Sequence, residues 1–272
     1  MINTILSFLK YDFFIYALIT GVAIAVCAAL LGVSLVLKRF SMIGDGLSHV
    51  GFGASAIALS LGLAPLYVTI PTVLVAALIL LKFGKHQHLK GDAVIALVSC
   101  SSLAIGYTAI KLANGVSIDI NSYMFGSIYT VELRDMLITL AVSTVIILLY
   151  VIFYNKIFSV TFDEDFANSL GIKATRYTTL LSCLTAVTVV IGMKMMGALL
   201  ISGLIIFPVL SAIKICKSYK SVIISSACIA LFNFLAGVAF SVIINSSPGA
   251  SVIIVSLVSF TLCSILGKVL KK

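Results

Sequence analysis

Phe13 to Leu37 reads FFIYALITGVAIAVCAALLGVSLVL, a run without one charged side chain. A bilayer core about 30 Å thick needs about 20 apolar residues per helix, so this run is long enough to span one. Further apolar stretches lie at 47–64, 66–82, 92–113, 134–154, 176–193, 195–213, 222–244 and 250–267. With 61% hydrophobic and 10% charged residues and a mean hydropathy of +1.25, the chain is no soluble domain. Its apolar runs are continuous and do not alternate over short segments, which excludes a β-barrel. The expectation is an all-α, polytopic membrane protein with eight or nine transmembrane helices. The count stays open because 47–64 and 66–82 are short and separated only by Gly62-Leu63-Ala64-Pro65. That region reads equally as a broken or re-entrant element, since Gly and Pro are tolerated at membrane depth where protein or water satisfies the freed backbone. No loop is long enough to hold a soluble domain, so residues 1–272 are expected to form one membrane domain.

Between the first two apolar runs stands Ile43-Gly44-Asp45-Gly46-Leu47-Ser48-His49. A charged side chain at a bilayer centre costs roughly 2.5–3.5 kcal/mol by insertion measurements, so such groups usually face a pathway, a cavity or a partner. On a helix, the i, i+4 spacing puts the Asp45 carboxylate and the His49 imidazole on one face. Oxygen and imidazole nitrogen together suit Zn, Mn or Fe. An Asp–His hydrogen bond that locks a helix pair would use the same spacing.

Charge placement suggests an orientation. Twelve of the 18 Lys and Arg fall in four clusters: Lys82, Lys85 and Lys90; Lys156, Lys173 and Arg176; Lys214, Lys217 and Lys220; Lys268, Lys271 and Lys272. These share one side when the later spans alternate, and Lys/Arg excess marks the cytoplasmic face. The C-terminus is therefore expected in the cytoplasm. Lys38 and Arg39 join that side only if 47–64 and 66–82 both cross, which would put the N-terminus outside. The net charge of +9 then reflects topology and contact with anionic headgroups, not nucleic-acid binding. No cleavable signal peptide is expected, because the first apolar stretch is too long for a typical signal core and no small-residue cleavage pattern follows it. Cys27, Cys100, Cys183, Cys216, Cys228 and Cys263 are scattered without a C-x-x-C pair and read as small buried packing residues.

The loop 155–175 contains Phe162-Asp163-Glu164-Asp165-Phe166-Ala167-Asn168-Ser169-Leu170-Gly171-Ile172. Thr161 or Asp163 can cap a short helix whose acidic first turn suits the positive end of the macrodipole. Gly171 is a natural stop. Three acids together would be repelled by anionic lipid, so docking onto another protein is the better reading than lying on the membrane.

Lys38-Arg39-Phe40-Ser41-Met42-Ile43-Gly44-Asp45-Gly46-Leu47-Ser48-His49-Val50-Gly51-Phe52 resembles the signature of the permease subunits of ABC-type zinc and manganese importers. Along the chain, Asp92-Ala93-Val94-Ile95 with Ala104-Ile105-Gly106 resembles that family's fourth span, and Tyr123-Met124-Phe125-Gly126-Ser127 its following external loop. Phe162 to Ile172 is similar to the coupling segment, Met196 to Pro208 to the span after it, and Pro248-Gly249-Ala250 to the turn before the last helix. Two departures stand out: Val209-Leu210-Ser211-Ala212 where the family commonly ends in Ala-Thr-Ala, and Gly203 where it often has Ala.

The resemblance implies a type II ABC importer permease fold that pairs as a homodimer around a central pathway. It also implies two ATPase subunits on the cytoplasmic side and an extracytoplasmic metal-binding protein that delivers the ion. Asp45 and His49 would be the metal ligands in the pathway. Asp163, Glu164, Asp165, Phe166, Ala167, Leu170 and Gly171 would form the segment that presses into the ATPase. The expected function is import of Zn²⁺ or Mn²⁺, with Fe²⁺ a further candidate, across the plasma membrane. The ion is substrate, and no permanently bound cofactor is expected. The chain has no G-x-x-x-x-G-K-[ST], so it cannot build an ATPase phosphate loop and is expected to be a transport subunit, not an enzyme. Few, partly solvated ligands suit an ion that must be released.

The alternative is a proton-coupled secondary metal transporter using Asp45 and His49 as a relay. An intramembrane zinc protease would need a constellation such as H-E-x-x-H, which is absent, and a structural anchor would not need the pair. His86 and His88 read as solvated loop residues that a metal-sensing role would also suit. Asp92 reads as a helix cap. Asp119, Asn121, Glu132 and Asp135 read as solvated outer loop residues, where attracting cations near the entrance is the alternative. Lys194, flanked by Met193 and Met195 in a tight outer turn, reads as snorkelling to the interface.

Overall fold

The computed structural model describes residues 11–84, 91–113, 124, 126 and 131–270. His86, His88, Asp119 and Asn121 lie outside the described residues, as does the side chain of Asp92. Among the described residues all regular elements are helices: α1 (Asp12–Leu37), α2 (Ile43–Ser60), α3 (Pro65–Gly84), α4 (Gly91–Leu112), α5 (Leu133–Ile152), α6 (Tyr154–Phe162), α7 (Glu164–Ser169), α8 (Ala174–Met196), α9 (Ala198–Ile215), α10 (Tyr219–Ile244) and α11 (Pro248–Leu270). Each of the nine apolar stretches corresponds to one long helix, with the short α6 and α7 inserted between the fifth and sixth.

Seven of these helices are long and apolar enough to cross a membrane: α1, α4, α5, α8, α9, α10 and α11. The expected eight or nine crossings thus become seven on length and composition. α2 falls short because four glycines, three serines, Asp45 and His49 dilute its apolar residues. α3 contributes a shorter apolar stretch, Pro65–Leu80. Both are nonetheless unbroken helices, joined by a turn in which Gly62 takes φ +69°. Ser55 and Thr69 share a hydrogen bond of 2.8 Å across the hairpin.

Burial sorts the bundle. More than half of the apolar windows of α1, α8 and α9 is buried, against 22% for α4, α5 and α11. An apolar helix buried on most sides belongs in a core, and α1 accordingly packs on α5, α8, α9 and α10. The peripheral helices expose Leu97, Ile105, Leu148, Ile152, Leu262 and Ile265, an apolar surface suited to lipid. The cysteines do not follow one rule: Cys27 is buried, whereas Cys100 and Cys228 are exposed. The expectation of uniform burial therefore fails.

Small residues set the closest crossings. A methyl on Gly53 of α2 would stand 2.6 Å from the Ser102 carbonyl oxygen of α4, and one on Gly106 would stand 2.8 Å from the Gly53 Cα. The two backbones therefore meet directly, as membrane helices do where small residues coincide. Gly203 packs against Ile253 of α11, where a methyl would sit at 3.2 Å; the departure at this position is a matter of fit.

At one end of the bundle a buried hydroxyl cluster joins three helices. Ser34 of α1 lies 2.9 Å from the Tyr219 hydroxyl and 3.3 Å from that of Tyr150, and the two tyrosine hydroxyls are 3.1 Å apart. The Tyr219 ring also packs on Tyr154, Phe158 and Phe162. That aromatic group fastens α6 to α10 and fixes where α7 emerges.

Candidate metal site and docking segment

α1 ends in a tight reversal. Arg39 takes a left-handed φ of 63°, the Phe40 N–H donates to the Leu35 carbonyl at 2.9 Å, and α2 starts at Ile43. Asp45 thus falls in the first turn of α2, where the macrodipole favours a negative charge. One turn later His49 shares its face, with Nε2 3.6 Å from Asp45 Oδ2. That separation is too long for a hydrogen bond, and both residues sit on one helix, so the pair does not lock two helices together. Ser202 of α9 makes that link: its hydroxyl donates to Asp45 Oδ1 at 3.3 Å and shares its proton with the Ala198 carbonyl at 3.2 Å.

The side chains of His49 and Asp45 are 21% and 35% exposed, accessible although most of α2 is buried. His49 opens onto a small cavity lined also by Phe52, Leu103, Tyr107, Met124 and Ala198. A carboxylate, an imidazole and a hydroxyl thus converge beside a mostly apolar space. Among the described residues no group of three or more His, Cys, Asp and Glu is placed to hold a metal. Ser202 was not singled out in the sequence, although it is the one polar side chain between Gly197 and Phe207, a signal that could have found it.

The segment 155–175 holds two helices. Asp163 caps α7, its Oδ1 accepting from Asp165 N–H at 3.0 Å and Phe166 N–H at 2.9 Å, while Thr161 donates within α6 to Ile157. Gly171 closes α7 at φ +79°, with the Ile172 N–H reaching back to the Ala167 carbonyl. The remaining residues of the segment divide. Ala167 is buried, in a cluster with Val160 and Ala174, and Glu164 points to the bundle, where Lys38 Nζ lies 2.7 Å from its Oε1. Phe162, Phe166 and Leu170 are about 60% exposed, and Asp165 is exposed beside them. α7 thus carries a cap, two inward anchors and an outward face on which Phe166 and Leu170 are exposed.

At the other end, Lys194 does not snorkel alone: its Nζ meets Asp135 Oδ1 at 2.7 Å, joining α8 to α5. The turn between α8 and α9 falls at Gly197, φ 86°, and not at Lys194.

A bundle of apolar helices enclosing a polar pair beside a cavity, with a short helix presented at one end, is the architecture of a membrane transport subunit. Residues 10–267 match the ABC 3 transport family, and the chain belongs to that family. The "High-affinity zinc uptake system membrane protein ZnuB" of Haemophilus influenzae is 27% identical over 247 residues, 90% of this chain and 94% of that protein. The "Manganese import system permease protein ScaB" of Streptococcus gordonii is 29% identical over 250 residues, 92% of this chain and 90% of that protein. Among solved structures, "PsaBC from Streptococcus pneumoniae in complex with Fab" superposes with a TM-score of 0.85 at 30% identity, covering 97% of this chain and 95% of that one.

Proposed function

We propose that this chain is the permease subunit of an ATP-driven importer that carries a divalent transition metal ion, Zn²⁺ or Mn²⁺, into the cell. The observation that carries the reading is the pairing of Asp45 Oδ2 and His49 Nε2 at 3.6 Å beside a cavity. Two donors on one tetrahedral ion, each at about 2.1 Å, stand about 3.4 Å apart. The pair therefore offers two ligands with little rearrangement, and Ser202 holds the other carboxylate oxygen in place. A two-donor site suits transient binding, since an ion gripped by a closed set would not leave. The names of the relatives, one for zinc and one for manganese, support a metal substrate. Carboxylate and imidazole bind both ions, so the donor set does not choose between them.

In this reading Phe166 and Leu170 of α7 dock a separate ATPase subunit, two permease copies pair around the pathway, and an extracytoplasmic protein delivers the ion. Lys156, Lys173 and Lys214 belong to the cytoplasmic end, with the C-terminus, by the positive-inside rule, and Lys38 joins them through its contact with Glu164 of the same segment. The test is uptake of Zn²⁺ and Mn²⁺, measured separately, in cells carrying the chain with its ATPase and binding protein. A catalytically dead ATPase should abolish uptake. Uptake that persists and collapses with the proton gradient overturns the proposal in favour of a secondary transporter.

A further inference from the structure

We infer that Lys38 and Glu164 are positioning residues that transmit movement of the docking helix to the metal-site helix; the inference rests on reading α7 as the ATPase-docking element. Lys38 is the C-cap of α1, seven residues before Asp45 in the chain. Its side chain is 7% exposed, and its ammonium meets Glu164 Oε1 at 2.7 Å and the Thr178 hydroxyl at 2.8 Å. Thr178 in turn donates to Glu164 Oε1 at 3.2 Å while lying on α8. Three helices thus meet at one ammonium group.

The geometry makes this a mechanical joint. α7 has six residues and is anchored inward by Ala167, by the Asn168 Oδ1 that accepts from Ala174 N–H at 3.0 Å, and by Glu164. Of these, the Glu164 contact is the one that reaches α1. The segment 38–42 between α1 and α2 is short and passes through the left-handed Arg39. A shift of α7 drags Glu164, hence Lys38, hence the start of α2 where Asp45 stands. The Lys38 side chain is nearly buried while that of Glu164 is 32% exposed, so separation would leave the ammonium, above all, buried without its countercharge. The pair is also redundant for the outward face of α7, since Phe166 and Leu170 point away from it.

The experiment reconstitutes the chain with its ATPase and binding protein in proteoliposomes and reads ions imported per ATP hydrolysed. The K38M chain should still co-purify with the ATPase, yet import per ATP should fall about tenfold, within the usual range of coupling effects. The exchanged pair, K38E with E164K, should regain most of that loss, as a double-mutant cycle requires of a direct interaction. T178V, which keeps both charges and removes only the shared hydroxyl, should show a smaller loss of the same sign. A K38M chain with the wild-type ratio overturns the inference, as does an exchange no better than K38M alone. So does a K38M chain that fails to assemble while T178V couples fully, because Lys38 then serves only the fold. Wild-type protein without ATP-dependent uptake contradicts the docking reading itself, a result separate from all of these.

Discussion

The hydroxyl of Ser202 on α9 lies 3.3 Å from Oδ1 of Asp45 on α2, so the candidate ligand is steered by a helix other than its own. A hydrogen bond to a charged group is worth about 1.5–3 kcal/mol, less when long and shared. At about 1 kcal/mol, Ser202→Ala should raise the apparent KM for the ion about fivefold with little change in maximal rate. Saturation curves of uptake check this. An unchanged KM would show that Asp45 needs no such anchor.

The α2–α4 crossing rests on Gly53 and Gly106. Gly53→Ala forces a methyl to 2.6 Å from a backbone oxygen, and overpacking of this kind costs about 1–3 kcal/mol. The melting temperature of the purified chain in detergent should fall by several degrees, and α2 should shift enough to weaken uptake. Equal stability would contradict the close approach.

Much of the architecture was legible because one term dominates in a membrane protein: apolar length. The nine stretches became nine helices for that reason. What sequence could not carry was contact between distant positions. Lys38 and Glu164 are far apart in the chain, and nothing local to either announces the pair. Lys194 looked like a lone interfacial lysine because Asp135 lies in another helix. The left-handed turn at Arg39 was hidden because arginine gives no signal for that conformation, whereas Gly171, which does, was read correctly as a stop. The Asp45–His49 pair was visible from spacing, but its tether to Ser202 was not.

Arg39→Gly should stabilise the chain. A non-glycine residue in the left-handed region costs about 1–2 kcal/mol, and Arg39 is exposed, so little packing is lost. A higher melting temperature is expected by thermal unfolding in detergent. If the strain also helps α1 and α2 move relative to one another, turnover falls as stability rises.

The outward face of α7 predicts a separation of assembly from folding. Phe166→Asp and Leu170→Asp alter residues that are 59% and 60% exposed, and surface changes usually stay within about 0.5 kcal/mol. Thermal stability of the isolated chain should hold, while co-purification with the ATPase is lost. Intact assembly in both variants would move the docking surface elsewhere.

The central claim is that Asp45 and His49 hold the ion in transit, and Asp45→Asn tests it most directly. The substitution keeps the shape and the hydrogen-bond partner at Ser202 while removing the negative charge. Uptake of labelled Zn²⁺ and Mn²⁺ by the reconstituted complex should drop to background, with the ATPase still bound. Uptake at the wild-type rate in the same preparation would contradict the account.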